Sequence, residues 1–226
     1  TVLDFLKTEL RLDRERVAVF AAWETFRWIV SNKVDTFTVN AGYQSSDDPN
    51  PTIQTLTNQQ FETLTPWNSV RHDFYTFRLA MAHLAAYKPR VLYLALGETD
   101  DWAHDGRYDR TLQALNQFDD YLQELWEWLE ADSQYRNRTG IVITVDHGRG
   151  NTAADWTDHG NATEGAQYIW MAFVSPTVSL RGEWSDHEPI RQNQVAATLA
   201  HFLGFDFRTQ TPTAGPPIET LFVQAH

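Results

Sequence analysis

The 226-residue sequence predicts an α/β fold, a mostly parallel sheet with helices on both faces. Two observations carry that expectation. Runs such as VLYLAL (91–96) and GIVITV (140–145) are apolar without alternation, as strands buried on both faces must be. Between them lie stretches in which apolar residues recur every three or four positions, the helical period. Strands and helices in alternation make parallel neighbours joined by helical crossovers.

The opening TVLDFLKTEL suits a short helix, with Thr1 near its cap and Val2, Leu3, Leu6 and Leu10 at helical spacing. Arg16 to Trp23 then reads as a buried strand, an aromatic helix runs through Trp28, and DTFTVNAG is a second strand ending in a glycine turn. From Gln44 to Trp67 the chain is rich in Ser, Asp, Asn, Pro and Thr and lacks periodicity, so residues 43–70 are expected to form a loop or small cap insertion. Arg71 to Tyr87 is a helix by its Phe74, Phe77, Leu79, Met81, Leu84 and Ala85, and it delivers the chain into the strand Val91–Leu96. The longest helix spans roughly Tyr108 to Ala131, with a stripe of Leu112, Leu115, Phe118, Leu122, Leu125 and Leu129. GIVITV and YIWMAFV (168–174) are the remaining strands, and Gln192 to Leu203 closes with a helix.

Composition narrows the function classes. At 42% hydrophobic residues the chain can bury a sizeable core as one domain. A net charge of −12 argues against a nucleic-acid partner, because binding by counterion release needs a basic surplus. No apolar run approaches the roughly 20 residues of a membrane helix. Cysteine is absent, so a metal must be held by His, Asp and Glu.

In such folds ligands sit beyond the carboxyl ends of the strands. Two of the most apolar strands here end in acidic, histidine-bearing segments. After VLYLAL comes GETDDWAH, in which Asp100 and His104 are four apart and share a helix face, with Cβ atoms about 5–6 Å apart. The same acids would also satisfy free amides at a helix start. After GIVITV comes DHGRGN, where Asp146 and His147 precede glycines that permit a tight path into a cleft. A turn Asp beside a surface His would look the same. His159 lies in DWTDHGN, beside Asp155 and Asp158. Together the three segments supply two Asp and three His, a donor set suited to one or two zinc or manganese ions. Thr99, Thr144 and Thr152 lie nearby and read as structural. Trp102, Trp156 and Tyr108 suit a pocket lining or core packing equally well.

The ordered series ETDDWAH, TVDHGRG and DHG resembles the alkaline phosphatase superfamily: alkaline phosphatases, nucleotide pyrophosphatases and phosphodiesterases, sulfatases and cofactor-independent phosphoglycerate mutases. The resemblance is most specific from Val91 to Val174. It implies two divalent ions, zinc above all with manganese as the alternative. Asp100, His104 and His159 would hold one and Asp146 with His147 the other. It implies hydrolysis of a small-molecule phosphate ester, or of a sulfate ester or phosphodiester, or phosphate transfer as in a mutase, on one shared centre. Arg149 and Asn151, in the loop after His147, would reach the substrate's non-bridging oxygens, although an exposed Arg in a glycine-rich turn is more often only solvated. The family's Ser or Thr nucleophile and a further metal-binding Asp have no match among these residues. By that comparison residues 1–226 are expected to be the C-terminal portion of a longer, periplasmic or secreted protein, inactive alone. If the chain is instead whole, a non-catalytic metal-binding domain is the competing expectation.

Overall fold

The structure, a computed structural model, describes residues 1–178, 182–185 and 188–222. They fall into two compact units divided between Leu125 and Trp126, with Thr1 grouped in the first and Val2 in the second. Each is described by itself.

In the first unit, β1 (Val17–Ala21) is the middle strand of a three-stranded parallel sheet, flanked by β2 (Thr38–Ala41) and β3 (Val91–Ala95). The register pairs Ala21 with both Ala41 and Ala95, so all three strands finish at one edge. All five β1 residues are buried, which is why VAVFA carries no polar alternation. α1 (Val2–Glu9) begins as expected: Thr1 and Asp4 form a capping box, and Leu3, Phe5 and Leu6 are buried. α2 (Phe26–Ile29) is the short aromatic helix.

The stretch expected to be an aperiodic loop contains α3 (Pro51–Gln59). Asn50 caps it by accepting from the Thr52 and Ile53 amides, and Pro51 occupies the first turn, where its missing N–H costs nothing. α3 packs on α4 (Asp73–Tyr87). Ile53 thereby joins Ala18, Phe20, Leu79 and Ala80 in one core cluster.

Seven-residue α5 (Glu98–His104) follows β3, and α6 (Tyr108–Ala131) follows it over the expected span. The leucine stripe of α6 is not uniformly covered: Leu112 and Leu115 are 43% and 49% exposed, whereas Tyr121 is buried and stacks on Phe77 at 4.2 Å between ring centroids.

The boundary between the units falls within α6. In the second unit β4 (Ile141–Thr144) pairs with β5 (Met171–Val174), and α7 (Val195–Phe202) closes the unit. The β4–β5 pairing is antiparallel, an exception within a fold expected to be mostly parallel. Among the described residues no helix is long and apolar enough to cross a membrane.

Candidate metal-binding residues

In the first unit the residues after each strand meet at the carboxyl edge of the sheet. The Arg71 amide donates to the Ala22 carbonyl just past β1, and the Ala22 amide donates to Ala95 at the end of β3. This pairing sets the start of α4 beside the start of α5.

On α5, Asp100 Oδ2 lies 3.3 Å from His104 Nε2. Donors sharing a tetrahedral zinc at about 2.0–2.2 Å stand about 3.3–3.6 Å apart, so this separation fits one shared ion. The two side chains are 37% and 40% accessible, open enough for a hydrated cation to arrive. Sequence spacing anticipated this pair.

Behind that pair lies a network that spacing did not reveal. The Asp73 carboxylate accepts from the Gly97 amide at 2.7 Å and the Glu98 amide at 3.1 Å. In return, Glu98 Oε1 accepts from the Asp73 amide and His72 Nδ1, both at 2.9 Å, while Trp102 Nε1 donates to Glu98 Oε2 at 3.2 Å. Burial pushes the Asp73 carboxyl up to about 7, against the two backbone hydrogen bonds. Burial also opposes ionisation of Glu98, yet the bonds from His72, the Asp73 amide and Trp102 outweigh it and hold its pKa below the ordinary value. The hydrogen bond to Glu98 raises His72 above its ordinary value, despite burial, and the imidazole forms an ion pair with that carboxylate when it is protonated. Trp67 adds an edge contact to Trp102 at 4.6 Å and a hydrogen bond to Asp105 at 3.0 Å.

Beside this network Arg71 is fully buried. Its Nη1 donates to Asn40 Oδ1 and, at 3.2 Å, to Gln60 Oε1; Nη2 donates to the Asn40 carbonyl and Nε to Thr76. Burial, reinforced by repulsion from Arg27, pulls the guanidinium down to about 9, so it stays charged at neutral pH.

In the second unit Asp146 and His147 follow β4. The His147 Nδ1 must carry the proton it donates to the Gly148 carbonyl at 2.9 Å, since a carbonyl only accepts. A ligating imidazole is usually oriented in this way, by a hydrogen bond from its other ring nitrogen. Nε2 lies 3.6 Å from Asp146 Oδ2, again within the range for a shared ion. Gln192 holds the Asp146 carbonyl at 2.9 Å. The glycines are needed here for close approach: a β-carbon at Gly148 would sit 2.4 Å from the Tyr168 carbonyl oxygen, and one at Gly150 2.2 Å from that of Asp155.

His159 stacks on His147, ring centroids 3.7 Å apart and planes inclined by 17°. Both face a pocket of about 510 Å³, whose lining includes Asn161, Thr163, Glu164 and Gln167. Arg149 Nη1 donates to the Thr157 carbonyl at 2.8 Å, and Asn151 is exposed. Thr144 Oγ1 donates to the Trp170 carbonyl and Thr152 Oγ1 to Asp155 Oδ1. Each unit thus gathers its own share of the expected donors: Asp100 with His104 in the first, and Asp146, His147 and His159 in the second.

Nitrogen and oxygen donors at these separations fit divalent cations. The chain belongs to a class of hydrolases, the alkaline phosphatase superfamily. More narrowly, the chain belongs to the type I phosphodiesterase / nucleotide pyrophosphatase family, whose model matches residues 10–202. Comparison with curated proteins and with solved structures found no match.

Proposed function

We propose that the protein hydrolyses small phosphate esters, phosphodiesters foremost, at a binuclear metal centre. Asp100, His104 and His159 hold one ion, and Asp146 and His147 the other. Family membership supports the reaction class. The single observation that carries the metal assignment is the 3.3 Å approach of Asp100 Oδ2 to His104 Nε2 on the segment following β3.

Divalent cations bound there supply Lewis-acid stabilisation of charge developing at phosphorus and lower the pKa of an attacking hydroxyl. The chain's own residues do the rest. His147 is oriented by its Nδ1–H bond to the Gly148 carbonyl. Arg149 and Asn151 orient the non-bridging oxygens, and the pocket lined by Asn161, Thr163, Glu164 and Gln167 takes the uncharged part of the ester. The hydroxyl nucleophile and one further carboxylate come, in this reading, from a segment upstream of Thr1, so the 226 residues form the C-terminal portion of one such domain, with residues 43–70 as a cap.

Elemental analysis of metal content tests the assignment. Wild type is expected to retain divalent metal, and His104→Ala and His159→Ala to lose it; unchanged occupancy in both variants overturns the proposal. With added zinc the 226-residue chain is expected to leave an aryl phosphodiester intact, and robust turnover would refute the upstream nucleophile.

A further inference from the structure

Neither α4 nor α5 caps its own N-terminus. The residue before α4 is His72 and the residue before α5 is Gly97, and neither supplies a side-chain cap. A helix start leaves its first amides without intrahelical partners, and buried amides without partners are costly. Here each helix receives its cap from the other. Asp73 of α4 accepts from the Gly97 and Glu98 amides, and Glu98 of α5 accepts from the Asp73 amide. We propose that this reciprocal clasp makes Asp73 and Glu98 positioning residues for the metal donors Asp100 and His104, an inference that rests on the metal-centre reading above.

A helix of seven residues is marginal alone, since nucleation consumes most of what its few hydrogen bonds return. The orientation of α5 must therefore come from tertiary contacts. The clasp acts at its first residue, two positions before Asp100. His72 and Trp102 occupy further acceptor sites of Glu98, so that carboxylate reaches α4, its preceding residue and the next turn of α5 at once. Asp73 is buried and Glu98 largely so, which removes them from direct contact with a hydrated ion and leaves them the work of fixing the backbone. Partners behind metal ligands, when mutated, typically cost 10–100-fold in metal affinity.

Asp73→Asn replaces one acceptor with an NH2 group that faces a backbone N–H. Glu98→Gln sets an NH2 group against the Trp102 indole N–H or, in the flipped amide, against the Asp73 amide N–H and His72. The test measures zinc affinity of the intact chain by competition with a chromophoric chelator, well below each variant's melting temperature. Leu6→Ala, in α1 and away from the donors, serves as a destabilised control, and His104→Ala as the ligand control. Asp73→Asn and Glu98→Gln are expected to weaken zinc binding at least about 10-fold, with Leu6→Ala at the wild-type value. If His104→Ala abolishes binding while both clasp variants match wild type, or match Leu6→Ala, the clasp has no positioning role and the metal reading stands. If His104→Ala binds zinc as wild type does, the metal reading fails and the inference falls with it. Should Asp73→Asn not fold, Glu98→Gln decides the question from the other half of the clasp.

Discussion

Replacing Arg71 with Met tests whether the buried guanidinium organises the site edge or merely survives there. Its donors bind Asn40 Oδ1, the Asn40 carbonyl, Gln60 Oε1 and Thr76 Oγ1, which ties the end of β2, the residue after α3 and the first turn of α4 to one point. Methionine fills much the same volume and keeps water out. It would strand three acceptors, because Thr76 Oγ1 can still donate to the His72 carbonyl. At about 1–3 kcal/mol for each buried unsatisfied group the gross loss is several kcal/mol. Relief from burying a cation among neutral partners offsets part of it. The expected net loss is about 3 kcal/mol, or a melting temperature about 6–12 °C lower for a chain of this size. Urea denaturation followed by tryptophan fluorescence measures it. A variant as stable as wild type, or more stable, would show that desolvation of the guanidinium outweighs its network, and the organising role would be refuted.

Three further perturbations probe other parts of the structure. His83 is buried against Phe20 and Tyr87 with its Nε2–H donated to the Glu15 carbonyl, and burial holds its pKa below the ordinary 6.5 despite Glu15 and Asp48 nearby. The unfolded chain then binds a proton that the folded chain does not, so the stability contributed by neutral His83 is whole above pH 6.5 and lost as pH falls through its lowered value. His83→Gln is expected to flatten the fall of stability below pH 6.5 in chemical denaturation, and an identical slope in both proteins would refute the burial effect. Asn50→Ala, which removes the cap of α3, should cost about 1 kcal/mol by the same assay; no loss would mean that water caps the helix equally well. Gly148→Ala should cost about 1–3 kcal/mol because its methyl group meets carbonyl oxygens, and an unchanged melting curve would show that the DHGRG loop takes another path.

What the sequence made legible was local. The 24 residues of α6 announce themselves because six apolar positions repeat with the helical period, and β1 because nothing polar interrupts VAVFA. α3 escaped notice because threonine, asparagine and glutamine fill most of it, although Asn50 followed by Pro51 was a readable start signal. Strand direction was legible only in part: the alternation of strands and helices pointed to the parallel order of β1, β2 and β3, but an apolar run does not itself state which way a neighbour runs, and β4 with β5 runs antiparallel. Likewise the pairs Asp100–His104 and Asp146–His147 lie within one turn or one peptide bond, so spacing finds them. Asp73 and Glu98 stand 25 residues apart across β3, and only the fold brings them together.

The crowding of acids at the start of α5 has a geometric resolution. Successive helical residues are rotated by about 100°, so Glu98 and Asp100 point about 160° apart while Glu98 with Trp102, and Asp100 with His104, lie about 40° apart. One face therefore carries Glu98 and Trp102, bonded to each other, with Glu98 reaching back to His72 and Asp73. The opposite face carries Asp100 and His104, 3.3 Å apart at their donor atoms and accessible to solvent. Helix-dipole compensation alone would be indifferent to which positions of the first turn are acidic. The observed division is not, because moving the Glu98 carboxylate by one position would turn it away from α4 and leave the Asp73 amide without its acceptor. The order of residues in ETDDWAH thus fits a helix that is gripped on one side and leaves Asp100 and His104 accessible on the other.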